Sequence, residues 1–444
     1  MIPIEIKNRI QQLNPWITTP DKATELITRF IPKNYIKRYT EQTLIRNNCA
    51  MLIVGPRQAG KSTMVWHQLK PFSPDILFLN MEDHLLRSGL NDSIDFIEHL
   101  QETYSFVKAI FIDEIQHMDE AGLFIKGIID ARLDIPIWAT GSSAFDLRSK
   151  TRESLAGRAT RKRLLPFSIS ELIAHENPPN PLAEKHVCEK IISHQLVYGS
   201  YPAVWISQNH EEKVMHLIDL TEALILRDAS DLFKIKRVDA FRRLLTLLSG
   251  QIGNLVNLSE LASSCNVNVG TIISYIEILE QSHIVKSIRP FAEGKRREIT
   301  GTPKVFFIDN GIRNQLLNNF SKDLDLRTDK GQLLENWVFT EIYRALPFQS
   351  SVKFWRSKAK AEVDFVIEHA NKIYGLEVKF TDFKQSKISR SARSFLEVYK
   401  PEKFAVLNMG LQENIEVDEI MVEFIFPMDL NKWLSTIFSA SNRS

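Results

Sequence analysis

The run MLIVGPRQAGKSTMVWHQL, from Met51 to Leu69, constrains the fold of this chain more than any other stretch. Met51 to Val54 are four consecutive apolar residues and read as a buried parallel strand. They lead straight into Gly55-Pro56-Arg57-Gln58-Ala59-Gly60-Lys61-Ser62, which matches G-x-x-x-x-G-K-[ST] at every fixed position, with Thr63 following. Gly55 and Gly60 let the backbone curl so that successive N–H groups face a phosphate, and a helix from Lys61 onward aims its positive end at the same point. Lys61 is placed to reach the β- and γ-phosphates, and Ser62 to put its hydroxyl on Mg²⁺. Such a loop needs a strand before it and a helix after it, so it calls for an α/β sheet.

At 444 residues the chain is too long for one core. Its net charge of +2 means that any nucleic-acid affinity must come from local basic patches. Cys49, Cys188 and Cys265 form no C-x-x-C pair, which argues against a zinc site or disulfide framework and for a reducing cytoplasm. The N-terminus lacks the apolar run of a signal peptide, and no stretch approaches the roughly 18 apolar residues of a membrane span. A cytoplasmic protein with no membrane partner is the expectation.

Residues 1–20 read as an N-terminal arm and 21–168 as the nucleotide core. Within the core, Leu26, Ile27 and Phe30 have helical spacing broken by Pro32, in a segment, 22–46, expected to carry adenine contacts. Ile76–Asn80 is a second strand, and Lys108–Glu114 a third that ends in two carboxylates. In this pattern Asp113 would hold Mg²⁺ through water, and Glu114 would orient or deprotonate an attacking water. Ile135–Thr140 opens onto Gly141-Ser142-Ser143, where Ser142 and Ser143 are either γ-phosphate sensors or caps of a following helix. Arg148 to Arg163 is strongly basic. Arg158 is the candidate for stabilising transition-state charge, against the alternative of a solvated face or nucleic-acid rim. Leu164–Ser168 is expected to close the sheet.

Residues 169–250 read as a helical lid, interrupted at Tyr198-Gly199-Ser200-Tyr201-Pro202. Residues 251–324 have a helix-turn-helix rhythm followed by two strands, with Lys295, Arg296 and Arg297 at the tip between them; DNA contact and a purely structural lid are both open. In residues 325–444, Glu335 lies on a helix, and a hairpin carries Asp364 on one strand with Glu377 and Lys379 on the next. These residues either hold Mg²⁺ against a phosphodiester or form a charged strand edge. Basic residues flank them: Lys353, Arg356, Lys358 and Lys360 before, Lys384, Lys387, Arg390 and Arg393 after.

The strings GPRQAGKST, FIDEIQ, TGSSAFDL, LAGR, LLPFSISEL, YGSYP, GQLLENWVFTEI, AEVDFVI and LEVK together resemble a prokaryotic family of AAA+/STAND-like P-loop ATPases with a C-terminal DUF4143 domain. The late strings resemble the PD-(D/E)xK nuclease core, with Val363 where that family often has proline. The resemblance implies an α/β P-loop NTPase parallel sheet, a helical lid, a winged helix-turn-helix and a C-terminal restriction-endonuclease-like fold, with Glu335, Asp364, Glu377 and Lys379 in the nuclease places. An ATPase using ATP and Mg²⁺ and handling DNA is the leading expectation. A STAND-like switch acting on a protein partner and an ATP-gated nuclease compete with it, and a homo-oligomer is compatible with all three.

Overall fold

The structure, a computed structural model, describes residues 2–42, 49–90, 92–141, 155–225, 235–291, 301–347 and 349–439. It divides into two compact units, Met1–Pro166 with Gln281–His283, and Phe167–Glu280 with Ile284–Ser444. Among the described residues no helix is long and apolar enough to cross a membrane.

The first unit is built on five parallel strands, β1 (Ala50–Val54), β2 (Ile76–Asn80), β3 (Ala109–Asp113), β4 (Ile137–Gly141) and β5 (Ala159–Arg163), in the order β2-β3-β4-β1-β5. The three strands at the centre are apolar on both faces because both are covered. Leu52, Leu77, Ile110, Ile112 and Ala139 face one layer containing Phe96, Leu100, Phe124 and Ile128. Met51, Ile53, Phe111 and Trp138 face the other, with Met64, Val65, Trp66 and Leu69 of the helix Lys61–Leu69. Fully burying each such side chain stabilises the fold by about 1.5–3 kcal/mol before entropy is counted.

Both edges of this sheet depart from expectation. Residues 2–20, read from the sequence as an arm, pack on edge strand β2. The helix Ile4–Leu13 buries Ile6 and Ile10, and Asn14 pairs with Phe78 as a strand residue would, its Nδ2 donating to Phe78 O (2.9 Å) and its Oδ1 accepting from Phe78 N (2.6 Å). Trp16 Nε1 donates to Ile76 O at 2.8 Å. These bonds satisfy backbone groups that an open edge would leave unpaired. At the other edge the closing strand is the basic stretch Ala159–Arg163, and Leu164–Ser168 leads out of the sheet to the helix Ile169–Glu176, which Ser168 and Glu171 cap reciprocally. An edge strand tolerates that charge because it is only half-buried.

In the second unit the helices Pro181–Tyr198, His210–Ala223 and Val238–Gly250 precede a helix–turn–helix, Leu258–Cys265 and Val269–Gln281, and then β6 (Val285–Ile288) paired antiparallel with β8 (Lys304–Phe307). Lys295, Arg296 and Arg297 lie outside the described residues. Between β6 and β8, β7 (Pro290–Phe291) leaves this pair and joins a seven-stranded mixed sheet with β9 (Ser351–Arg356), β10 (Glu362–His369), β11 (Lys372–Val378), β12 (Lys403–Leu407), β13 (Glu413–Val417) and β14 (Ile420–Ile425). The segments 169–250, 251–324 and 325–444, expected as three domains, fall in the second unit apart from Gln281–His283. Asp309 adds to this continuity, accepting from Ser200 N (2.6 Å) and Gly311 N (2.8 Å).

Candidate functional site

The loop after β1 has the shape its spelling requires. A Cβ on Gly55 would lie 2.0 Å from Leu164 O, and Gly60 has φ +89°. No side chain caps the helix Lys61–Leu69, so the N–H groups of its first turn are left to face an anion. The buried Lys61 ammonium rests on the carbonyls of Gly55 (3.1 Å) and Pro56 (3.0 Å).

Strand ends bring the remaining groups to this loop. Ser62 Oγ donates to Asp113 Oδ1 at 2.9 Å, and Thr140 Oγ1, from the end of β4, donates to the same oxygen. Burial, with the adjacent Glu114 charge, pushes the Asp113 carboxyl up to about 6, against the two hydroxyl bonds. Burial also raises Glu114, but Lys61, the Gln116 amide and Arg57 outweigh it and hold Glu114 below its usual value. Glu114 is thus ionised at neutral pH and able to accept a proton. Ser62 and Asp113 offer hard oxygen donors on one point, which fits Mg²⁺. Glu82, Glu114 and His117 also bring ligand atoms within 4.8 Å of one another, and Glu82 pairs with the loop residue Arg57 at 3.4 Å. A cavity of about 600 Å³ opens beside Ser62, Thr63 and Asp113, walled by Trp16, Phe30 and Trp66. Leu26, Arg29 and Phe30 of the segment 22–46 line it.

Of two further expected contributors, one falls outside the described residues and the other lies away from the loop. Ser142 lies outside the described residues, as does Ser143. Arg158 precedes β5, and its carbonyl accepts from Ala50 N at the start of β1, whereas the loop follows Val54 at the other end. Five residues of strand, roughly 16 Å, separate it from the loop side. Its guanidinium pairs instead with Asp130 at 2.8 Å, so it does not reach the γ-phosphate position of its own subunit. Thr140 and Gln116 were missed. The only hint of Thr140 was a hydroxyl closing the strand before Gly141.

The C-terminal carboxylates form a second, half-buried cluster around the buried Lys304. Lys304 Nζ lies 3.3 Å from Glu335 Oε1 and 2.5 Å from Glu362 Oε1. Arg356 reaches the other Glu362 oxygen at 2.9 Å. Val378 N donates to Asp364 Oδ2 (2.8 Å), while Lys379 (2.9 Å) and Ser389 (3.1 Å) hold Glu377. Burial drives Glu335 up to about 8 and raises Asp364, against the nearby lysines. Among the described residues, Glu335, Asp364 and Glu377 act on one another's charge but do not bring an oxygen each within 4.8 Å of one another.

Residues 47–173 match the family described as an AAA domain, and residues 330–428 match a domain of unknown function, DUF4143. The chain carries an AAA domain and a DUF4143 domain. Residues 189–323, between them, match a further domain of unknown function, DUF8612. An uncharacterized protein of Methanocaldococcus jannaschii is 25% identical over 347 residues, 76% of this chain and 76% of its own. One of Haemophilus influenzae is 24% identical over 389 residues, 84% of this chain and 92% of its own. Among solved structures, Aeropyrum pernix ORC1 in complex with DNA overlaps at 14% identity and TM-score 0.30, over 69% of this chain and 92% of that one. AMPPCP-bound DnaA from Aquifex aeolicus overlaps at 12% identity and TM-score 0.26, over 53% and 82%. At these TM-scores neither overlap bears on what this chain binds. Lys61, Ser62, Asp113 and Glu114 all lie in the AAA domain, while Lys304 falls outside the DUF4143 domain whose carboxylates it contacts.

Proposed function

We propose that the AAA domain binds and hydrolyses ATP with Mg²⁺, and that its turnover controls DNA binding by the second unit. The observation that carries the first part is the Lys61–Ser62–Asp113–Glu114 constellation, in which an ionised carboxylate stands beside a hydroxyl–carboxylate pair suited to Mg²⁺. Bound Mg²⁺ would supply charge neutralisation at the phosphates. Lys61 turns its ammonium from the loop carbonyls to the β- and γ-phosphates, Ser62 and Asp113 hold the cation, and Glu114, oriented by Gln116, takes the proton of the attacking water. Arg158 enters this scheme only across a subunit boundary, in a homo-oligomer.

The DNA part is supported by the exposed Lys358, Lys360, Lys387, Arg390 and Arg393, whereas Lys353 and Lys384 are paired with Glu368 and Asp382. The reading of residues 251–324 as a winged helix rests on the helix–turn–helix and the β6–β8 pair. Its two helices, Leu258–Cys265 and Val269–Gln281, contain no lysine or arginine, so the phosphate contacts are assigned to the C-terminal set and to Lys295–Arg297. One observation favours a second reading, an ATP switch acting on a protein partner. Val269 and Ile273 stand exposed on that second helix, a surface better matched to protein than to phosphate. Measuring DNA binding against salt, together with ATPase rate with and without DNA, separates the two. Affinity that falls steeply with salt and a DNA-stimulated rate support DNA handling. A rate indifferent to DNA, with no salt-sensitive binding, leaves the protein-partner switch.

A further inference from the structure

We infer that the Lys304 ammonium is the resident cation of the C-terminal carboxylate cluster, so that this nuclease-like site holds no divalent metal and instead ties β8 to the C-terminal sheet. The side chain of Lys304 is 3% exposed, and its ammonium is enclosed by Glu335, Glu362 and the Phe354 ring, whose centre lies 5.3 Å away. That is the environment a bound cation would have, supplied by a residue outside the DUF4143 domain.

Most of the oxygens a metal would need are already engaged. Both Glu362 oxygens accept from Lys304 and Arg356, both Glu377 oxygens from Lys379 and Ser389, and one Asp364 oxygen from Val378 N. Mg²⁺ demands near-octahedral oxygens at about 2.0–2.1 Å, and no three of these carboxylates bring an oxygen each within 4.8 Å of one another. Cations from Lys304, Arg356 and Lys379 interleave with the carboxylates of Glu335, Glu362, Asp364 and Glu377, so most of the negative charge that would attract a metal is cancelled within the protein. The consequence is mechanical as well as chemical. Removing Lys304 would uncover the cluster and remove one of the links between β8 and the C-terminal carboxylates, while Asn336 still bonds Phe307.

The test is Mn²⁺ titration of the full chain, followed by electron paramagnetic resonance without nucleotide, in an Asp113→Ala background that removes the AAA metal site. The Asp113→Ala chain is expected to show no Mn²⁺ binding that Asp364→Asn abolishes. Adding Lys304→Met is expected to create binding at least tenfold tighter, sensitive to Asp364→Asn, with a Mn²⁺-dependent rise in thermal midpoint. A Lys304→Arg chain keeps the charge and should stay silent. Mn²⁺ binding to the Asp113→Ala chain that is lost with Asp364→Asn overturns the inference, and this comparison needs no change at Lys304. A folded Lys304→Met chain that gains no Mn²⁺ affinity also overturns it.

Discussion

The AAA domain and the DUF4143 domain each bury carboxylates beside a lysine, and they differ in where that lysine rests. Lys61 lies on the backbone carbonyls of Gly55 and Pro56, and the Asp113 carboxylate is held by the hydroxyls of Ser62 and Thr140. Hydroxyls are neutral, so they orient Asp113 without cancelling its charge, and an incoming cation gains that charge in full. Lys304 lies on the carboxylates themselves, and the charge is spent inside the fold. On the readings proposed above, the same residue types make a reactive site in one place and a structural hub in the other, according to whether the partner is neutral or ionic.

The largest expected effect tests the reactive side. Glu114→Gln should lower ATP turnover by roughly 10²–10⁴ while nucleotide affinity holds, because the amide cannot take a proton; steady-state hydrolysis and fluorescent-nucleotide titration read the two separately. Unchanged turnover would move the base elsewhere. On the structural side, Lys304→Met should cost about 2–4 kcal/mol of stability, since it leaves Glu335 without its ammonium and Glu362 with Arg356 alone. A chemical-denaturation midpoint equal to wild type would remove the contrast between the sites.

Lys61→Ala should weaken nucleotide binding about 100-fold, on the scale of a charged hydrogen bond, and wild-type affinity would sink the loop assignment. The pH response follows from Asp113, whose folded value of about 6 lies above its ordinary 3.8. The folded state binds the extra proton between these values, so its contribution to stability is present at low pH and is lost as pH rises through about 6. Protons compete with Mg²⁺ over the same range. Mg²⁺-dependent ATP affinity should therefore fall by up to about tenfold per pH unit below 6, and Asp113→Asn should abolish the Mg²⁺ dependence itself. A pH-independent Mg²⁺ affinity from 4.5 to 7 would contradict the burial of this carboxyl.

The smallest effect is at Arg158. Its pair with Asp130 is solvent-exposed on both sides, so Arg158→Ala should change stability by less than about 1 kcal/mol. Turnover in dilute, monomeric protein should not change. A drop that grows with protein concentration would place this guanidinium on a neighbouring subunit's nucleotide.

What the sequence determined alone is what contiguous residues control. The loop from Gly55 to Ser62 was legible because its backbone shape and its charge come from neighbours in the chain, and Asp113-Glu114 because a strand delivers its last residues to one sheet end. The β10–β11 hairpin was legible for the same local reason. Its strands pair through His369 and Lys372 around Ala370 and Asn371, both at positive φ, in a two-residue turn. Register and packing decided the rest. Nothing near Asn14 marks it as a partner for Phe78, and Arg158 looked adjacent to the site until parallel pairing with β1 set it at the far end of the strand. The role of the carboxylates at Glu335 and Glu362 depended on which ammonium lay against them. That ammonium belongs to Lys304, on a strand that only the tertiary fold brings there, because electrostatic partners are set by distance through space and not by separation along the chain.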